Sequence, residues 1–314
     1  MTARVIMKLK VEAARLTTPK VLHLRLVHPL KPELPAWEPG AHVDLRLPDG
    51  KIRQYSLCGD PDDRSAYEIA IKREDAGRGG SRGAHETLSE GSVAHVSAPR
   101  NNFPLQQADR HLFVVGGIGV TPVLAMVRRL SAQGADFRVD FCAPSEHDAP
   151  LLPELRAICG ERLRTWLSSD GARFDPREIG RAQEGDQLYV CGPQRLLEAV
   201  RAAAVELGWP EARIHAEAFQ ATLDENFKPE PFDATLASTG ETLHVPADRS
   251  LLDVLRDHGV TMPSSCELGV CGSCVCGYRD GVVIHRDSVI SVTDRQHRIA
   301  PCVSRARVAV TLDL

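Results

Sequence analysis

Four cysteines are spaced as Cys266-x4-Cys271-x2-Cys274, with Cys302 far downstream. This is the plant-type spacing for a [2Fe–2S] centre. Two irons share two sulfides, and each iron needs two further thiolates. A tight loop can deliver three of the four, with Gly269 and Gly272 letting the backbone wrap closely. The fourth comes from a distant segment and ties the loop to its domain. Cys276 falls outside the spacing and reads as a bystander. A zinc ribbon would pair two C-x2-C knuckles, and only one is present. The chain has nine cysteines, an odd number, and the crowding of four between 266 and 276 points to a metal centre rather than a disulfide framework. Cys58, Cys142 and Cys159 have no such context and read as packing thiols.

SCELGVCGSC, then HRDS at 285–288 and CVSRA at 302–306, resemble the ferredoxin domain of the phthalate dioxygenase reductase family, which includes the vanillate demethylase reductases. The resemblance extends over essentially the whole chain. Arg53-Gln54-Tyr55-Ser56 is similar to the flavin motif of the wider ferredoxin reductase superfamily. A flavin needs an aromatic face to stack on, a small hydroxyl near N5 and a cation for its phosphate, and Tyr55, Ser56 and Arg53 can supply these. Ala70-Ile71-Lys72 and the glycine-rich Gly77-Arg78-Gly79-Gly80-Ser81 follow at family-like spacing. The second opens a short helix whose backbone amides can cradle a phosphate. The resemblance implies FMN, with its phosphate held by Arg53, Gly80 and Ser81, and an aromatic residue, Phe219, close to the flavin.

Gly116-Gly117-Ile118-Gly119-Val120-Thr121-Pro122 follows an apolar run and precedes a helix. Its glycines let backbone amides approach a pyrophosphate. With Cys191-Gly192-Pro193 it resembles the nicotinamide-binding half of the same superfamily, in which the Cys-Gly-Pro turn lies against the nicotinamide. Gly117, Gly119, Thr121, Pro122, Cys191, Gly192 and Pro193 are therefore candidate cofactor contacts, with Ser56 and Cys191 nearest the reacting rings. The cofactor's 2′ position should be read after the second strand, at Ala143-Pro144-Ser145-Glu146-His147-Asp148. A 2′-phosphate would want Arg or Lys there. The segment is acidic instead, so Ser145 and Glu146 point to NADH.

The elements that must position these residues change character along the chain. Through the first hundred residues apolar side chains alternate, as in Val5, Met7, Leu9 and Val11, and again in Val43, Leu45 and Leu47 before the turn Pro48-Asp49-Gly50. This predicts a small antiparallel β-barrel over 1–106. From Leu112 the pattern becomes apolar strand, glycine turn and helix, repeated. That predicts a parallel-sheet α/β nicotinamide domain over 107–219. Residues 220–232 carry prolines and lose periodicity, as a linker does. The last module, 233–314, is an α+β ferredoxin domain of β-grasp type, with Ser250 placed to cap a helix that Gly259 ends.

With 25% charged and 43% hydrophobic residues, the 314-residue chain can bury real cores. The net charge of −4 has no basic run behind it, so nucleic acid and anionic membrane are poor partners. The N-terminus shows no apolar leader, and a cytoplasmic monomer is expected. H-E-x-x-H and P-loop motifs are absent, and His23, His42 and His95 read as surface or satisfied core residues. The order of modules implies electron flow from NADH through FMN to the cluster, and the resemblance implies a separate Rieske-type terminal oxygenase as transient partner. Glu267, Leu268 and Val270, between the ligands, are plausible contact positions. The alternative is a stand-alone NADH dehydrogenase that reduces quinones or small acceptors.

Overall fold

A computed structural model describes residues 6–47, 50, 52–75, 79–219, 227–264, 266–287, 289–291 and 293–314. Period-two alternation lets an antiparallel sheet bury one face. The strands β1 (Ile6–Thr18), β2 (Val21–Val27), β3 (Ala41–Arg46), β4 (Ile52–Ser56), β5 (Ala66–Lys72), β6 (Val93–Ser97) and β7 (Arg100–Asn101) use it to form one sheet. Its order is β4-β3-β6-β1-β2-β5, with β7 pairing β3. An isolated antiparallel bridge between Leu57 and Ile69 joins the end of β4 to β5 and closes the sheet. Leu9, Val11, Val43, Leu45, Ile69 and Ile71 are fully buried inside it. The helix α1 (Gly80–Thr87) follows β5. Pro48 and Asp49 of the predicted turn, and Val5 of the first alternation, lie outside the described residues.

The second sheet contains β8 (Arg110–Gly116), β9 (Asp136–Ala143), β10 (Leu163–Leu167), β11 (Asp186–Gly192) and β12 (Ile214–Ala218), in the order β10-β9-β8-β11-β12. Its helices are α2 (Val120–Ala132), α3 (Leu152–Cys159) and α4 (Gln194–Glu206). The β8, β9, β10 and β11 pairings are parallel. The chain runs outward from β8 toward β10 and then returns to β11 on the other side. That reversal opens a crevice at the carboxyl ends of β8 and β11, where such sheets take ligands.

The sequence divides 1–106 from 107–219, but packing joins them into one compact unit, Met1–Glu217. Side chains from both parts cover the joint. Ala125 of α2 sits in the barrel's core. The Tyr189 hydroxyl donates to the Pro104 carbonyl at 3.1 Å and accepts from the Gln106 amide at 2.7 Å. The Phe103 ring stands edge-on to Tyr189, with centroids 5.4 Å apart.

The second unit, Ala218–Leu314, has its own core. Its strands β13 (Phe232–Leu236), β14 (Thr242–Val245), β15 (Cys276–Ile284), β16 (Arg298–Ile299) and β17 (Arg305–Leu312) are ordered β14-β13-β17-β15-β16. The β13 and β14 strands form a hairpin, and β13 runs parallel to β17, a β-grasp arrangement. The helix α5 (Leu251–Asp257) buries Leu251, Val254 and Leu255 in this core. Ser250 caps it, its hydroxyl accepting from the Asp253 amide at 3.1 Å. Gly259 follows at φ 75°. Of the predicted linker, 220–226 lie outside the described residues.

One glycine, Gly40, sits at the joint in the first unit, where a Cβ would stand 3.0 Å from Met126 Cε of α2. Gly40 has φ 91°, and a Cβ there would stand 1.9 Å from the Phe103 carbonyl oxygen, which is backbone and cannot swing away. Gly40→Ala is expected to cost about 3 kcal/mol, read as a Tm loss of about 6–12 °C. Gly91→Ala, at φ 85° with nothing within 4 Å, should cost only about 1 kcal/mol. Equal losses in calorimetry would contradict this reading of the joint.

Candidate flavin, nicotinamide and iron–sulfur sites

The four cysteines of the plant-type spacing are brought together and buried, each at most 9% exposed. They meet as two pairs. The Cys266 thiol hydrogen-bonds with Cys271, and Cys274 with Cys302. Within each pair one thiol is held low and the other high. Cys271 is lowered to about 5, chiefly by its bond to Cys266, and Cys274 is lowered by its bond to Cys302. Among the described residues, no three His, Cys, Asp or Glu side chains converge on one ion-sized point. Two pairs of cysteines suit a two-iron centre, in which each iron takes two protein sulfurs.

The loop that carries the pairs is held from behind. The Leu268 amide donates to Cys266 Sγ at 3.3 Å. Gly269 has φ 74°, and a Cβ there would meet Val303 Cγ2 at 2.6 Å and Asp287 Cα at 3.1 Å. Asp287, whose side chain is fully enclosed, accepts from the Ile290 amide at 2.8 Å, the Val289 amide at 3.2 Å and the Ser304 hydroxyl at 3.3 Å. His285 lies 3.4 Å from the same carboxylate through Nδ1 and 3.0 Å from the Arg295 carbonyl through Nε2, which makes it structural. Ser288 lies outside the described residues. Cys276 sits against the β-grasp core, and burial pushes its thiol up to about 12. Glu267 is ion-paired with Arg256 at 2.6 Å. Leu268 and Val270 are part-exposed.

On β4, alternation sends Arg53 and Tyr55 to one face and Gln54 and Ser56 to the other. Arg53 folds over the first turn of α1, so that a Cβ on Gly80 would stand 2.8 Å from Arg53 Nε. Gly79 precedes it at φ 83°. The cation, the helix-opening amides and Ser81 therefore converge, as a phosphate requires. The Ser81 hydroxyl accepts from the Glu74 amide at 2.9 Å, which leaves its own proton to donate. Gly77 and Arg78 lie outside the described residues. Tyr55 is part-buried against the barrel core, its phenol pushed up by burial, and Ser56 is buried at the strand's end.

Other members of the predicted set have protein partners. Gln54 Nε2 lies 3.1 Å from Nε2 of His42, a buried histidine whose pKa falls to about 4 through desolvation and the nearby Arg100. The neutral ring therefore accepts from the Gln54 amide. His23, likewise buried, is 3.1 Å from Glu68. The Ile71 side chain is core, its carbonyl 2.8 Å from His85 Nε2, and Lys72 pairs with Glu74 at 2.7 Å. Ala70 is buried on the same strand.

The two nicotinamide motifs touch backbone to backbone. A Cβ on Gly119 would meet the Cys191 carbonyl oxygen at 2.2 Å, and one on Gly116 would meet Pro193 Cδ at 2.7 Å. A Cβ on Gly192 would stand 2.9 Å from the Gly116 amide nitrogen. Gly117 turns at φ 53°. Thr121 and Pro122 are buried, and the Thr121 hydroxyl donates to the Ile118 carbonyl at 3.0 Å, so these two shape the loop. The barrel's β5 packs beside the Gly117–Gly119 turn, which brings the flavin and nicotinamide motifs together. Ser145 bonds Asp148, and Glu146 is ion-paired with Arg156. Phe219 follows the end of β12 at a bend.

Sequence reasoning missed Glu217, on β12 beside β11. Its Oε2 is sealed from solvent without a hydrogen-bond partner, and desolvation raises the carboxyl to about 8. It acts electrostatically on Cys191, whose fully buried thiol is pushed well above its usual value by burial first and by Glu217 second. Cys191 is thus a protonated wall residue, not a nucleophile. The available signal was an acid two positions before Phe219 on an otherwise part-apolar strand.

Two outcomes follow from this geometry. Replacing Cys266, Cys271, Cys274 or Cys302 with Ala breaks a thiolate pair and should abolish the cluster's visible absorption, whereas Cys276→Ala should retain it. A full iron complement in Cys302→Ala would contradict the ligand set. For Glu217 the folded pKa is raised, so the folded chain keeps a proton that the unfolded chain releases. Stability should therefore fall as pH rises from about 4.5 to about 8 and then level. Glu217→Gln should flatten that slope in a Tm-against-pH series, and identical slopes would show the carboxyl ionised throughout.

Residues 234–307 match the 2Fe-2S iron-sulfur cluster binding domain. Residues 100–214 match the N-terminal domain of dimethylamine monooxygenase subunit DmmA-like proteins. The chain is 39% identical over 302 residues to the heme-dependent oxidative N-demethylase beta subunit of Ectopseudomonas mendocina (strain ymp), covering 96% of each. It is 36% identical over 318 residues to the phthalate dioxygenase reductase of Burkholderia cepacia, covering 98% of this chain and 97% of that one. A solved phthalate dioxygenase reductase, described as a modular structure for electron transfer from pyridine nucleotides to [2Fe–2S], superposes with a TM-score of 0.80 at 35% identity over 98% of each chain. At this identity over nearly the full length, the chain belongs to the phthalate dioxygenase reductase family of NADH-dependent flavin and iron–sulfur oxidoreductases.

Proposed function

We propose that this chain is the reductase component of a two-component oxygenase, taking electrons from NADH and delivering them singly to a terminal oxygenase. The observation that carries the reading is the adjacency of two cradles in one unit: Arg53 over Gly80, and Gly119 against Cys191, joined where β5 packs beside the Gly117–Gly119 turn. Bound FMN supplies the exchange between hydride and single-electron chemistry, and the cluster supplies the one-electron exit. The chain's own residues orient and enclose. Arg53, Gly79, Gly80 and Ser81 hold the FMN phosphate, and Tyr55 presents an aromatic face to the ring. Ser56, Cys191 and Glu217 line the place where the two rings meet. Gly117, Gly119, Gly192 and Pro193 set how closely the nicotinamide approaches. Cys266, Cys271, Cys274 and Cys302 hold the cluster.

We assign a Rieske-type oxygenase as the partner, engaged transiently by a monomeric reductase through the loop bearing Glu267, Leu268 and Val270. The likeness to the beta subunit of a heme-dependent N-demethylase favours a haem oxygenase as the second reading. None of the nine cysteines is in a disulfide, which suits a reducing cytoplasm. No helix of the described residues is long and apolar enough to cross a membrane.

The full chain with Cys302→Ala tests the route. NADH-driven ferricyanide reduction should stay within about twofold of wild type, because the flavin and nicotinamide sites are intact. Cytochrome c reduction and support of an oxygenase should fall about a hundredfold or more. If the variant supports an oxygenase as well as the wild type does, the cluster is not the electron exit. Supply of a Rieske oxygenase and of a haem oxygenase in parallel assays decides between the two partners.

A further inference from the structure

The segment that leads into β13, Phe227-Lys228-Pro229-Glu230-Pro231, runs without helix or strand. Its two prolines fix φ and stiffen it. Two arginines from elsewhere in the second unit hold it, one near each end. The Arg286 guanidinium lies over the Phe227 ring, 4.2 Å from its centroid. Arg305 Nε and Nη2 both donate to the Glu230 carbonyl, at 3.2 and 3.0 Å. Arg305 is 5% exposed and also donates to the Arg249 and Pro246 carbonyls, at 2.8 Å each. A buried cation committed to carbonyls, at the cost of its hydration, fixes the path of a chain.

Both arginines belong to the frame behind the cluster loop. The Arg286 amide donates to the Ser304 hydroxyl at 3.2 Å, and that hydroxyl donates to Asp287 at 3.3 Å. Arg305 follows Ser304, three residues after Cys302. The segment is thus fastened to the residues that back Gly269 and the thiol pairs. The Arg53 and Cys191 motifs lie in the first unit and the cluster ligands in the second. An electron must therefore cross between units joined by one chain segment, and its rate falls steeply with the gap. That connection begins at Ala218, where β12 ends. Clamped at Phe227, it can span at most about 30 Å, and freed back to Glu230 about 40 Å. A longer free connection lowers the effective concentration of one carrier at the other. It also lets a stiff segment pivot about one point instead of being held at two. We infer that Arg286 and Phe227 are positioning residues for electron transfer from flavin to cluster, their stack fixing where the connecting chain leaves the cluster's frame. They act through the path of the chain and leave the cluster's own potential unchanged.

The inference rests on the electron route proposed above, and the test separates the two. The full chain, loaded with FMN and cluster, is compared with Arg286→Ala, Phe227→Ala and Phe227→Trp, of which the last keeps a face for the cation. In Arg286→Ala, chymotrypsin cleavage after Phe227, read by mass spectrometry, should speed about tenfold as the ring is released. In anaerobic stopped flow, NADH should bleach the flavin of both Ala variants within about twofold of the wild-type rate, while cluster reduction slows about tenfold. The cluster's midpoint potential should not move. Phe227→Trp should keep the wild-type rate. Arg286→Ala/Phe227→Ala should be no slower than either single variant, since each removes the same contact. Unchanged cleavage overturns the clamp. Unchanged cluster reduction in the Ala variants, or a slowing that comes with a shifted potential, overturns the positioning role while leaving the electron route intact. If NADH reduces the flavin of the wild-type chain but never its cluster, the route falls and the inference falls with it.

Discussion

The first unit depends on the approach of two backbone turns to a distance that admits no side chain. Gly119 stands where any Cβ would overlap the Cys191 carbonyl, and Gly116 and Gly192 close the same gap from either side. Neighbouring parallel strands, β8 and β11, deliver both turns to one edge of the sheet. Hydride transfer needs two flat rings in contact, so the walls around them must be thin and rigid. Backbone meets both demands, since it carries no rotamers to order. The barrel is then held against this edge by the Tyr189 bonds to the 104–106 segment and by the Phe103 ring standing against Tyr189. The two predicted domains of the first unit thus pack as one, and β5 stays beside the glycine turn.

Buried carboxyl groups are handled in two opposite ways. Asp287 is fully enclosed and accepts from two amides and a hydroxyl, so its oxygens serve as a fixed post behind the cluster loop. The post lies directly behind the loop, since a Cβ on Gly269 would stand 3.1 Å from Asp287 Cα. Glu217 has no donor for Oε2 and responds by holding its proton up to about pH 8. A neutral carboxyl beside the protonated Cys191 leaves this pair without a fixed charge at neutral pH.

Much was legible in the amino-acid order. The cysteine spacing, the R-x-Y-S strand, the GGIG turn and the Cys-Gly-Pro turn each lie within a dozen residues, apart from Cys302. Spacing within a loop dictates its own geometry, because a few bonds leave few ways to place the ligands. The alternation of the early strands, the helix capped by Ser250 and the apolar Leu112–Val115 run of β8 were legible for the same reason: burial on one face or two leaves a local period.

Other features were decided only when distant segments met. Gln54 lies inside a cofactor motif, yet its amide is spent on His42, which β-pairing brings across the sheet. Glu217 reads as an ordinary strand acid until β11 packs beside it and removes its water. The acidic stretch around Glu146 is free of cations along the chain, but α3 folds Arg156 onto it. Chain order specifies which groups are present and how a short loop can arrange them. Desolvation and charge pairing depend on separation through space, falling off over a few ångströms, and that separation exists only in the folded chain.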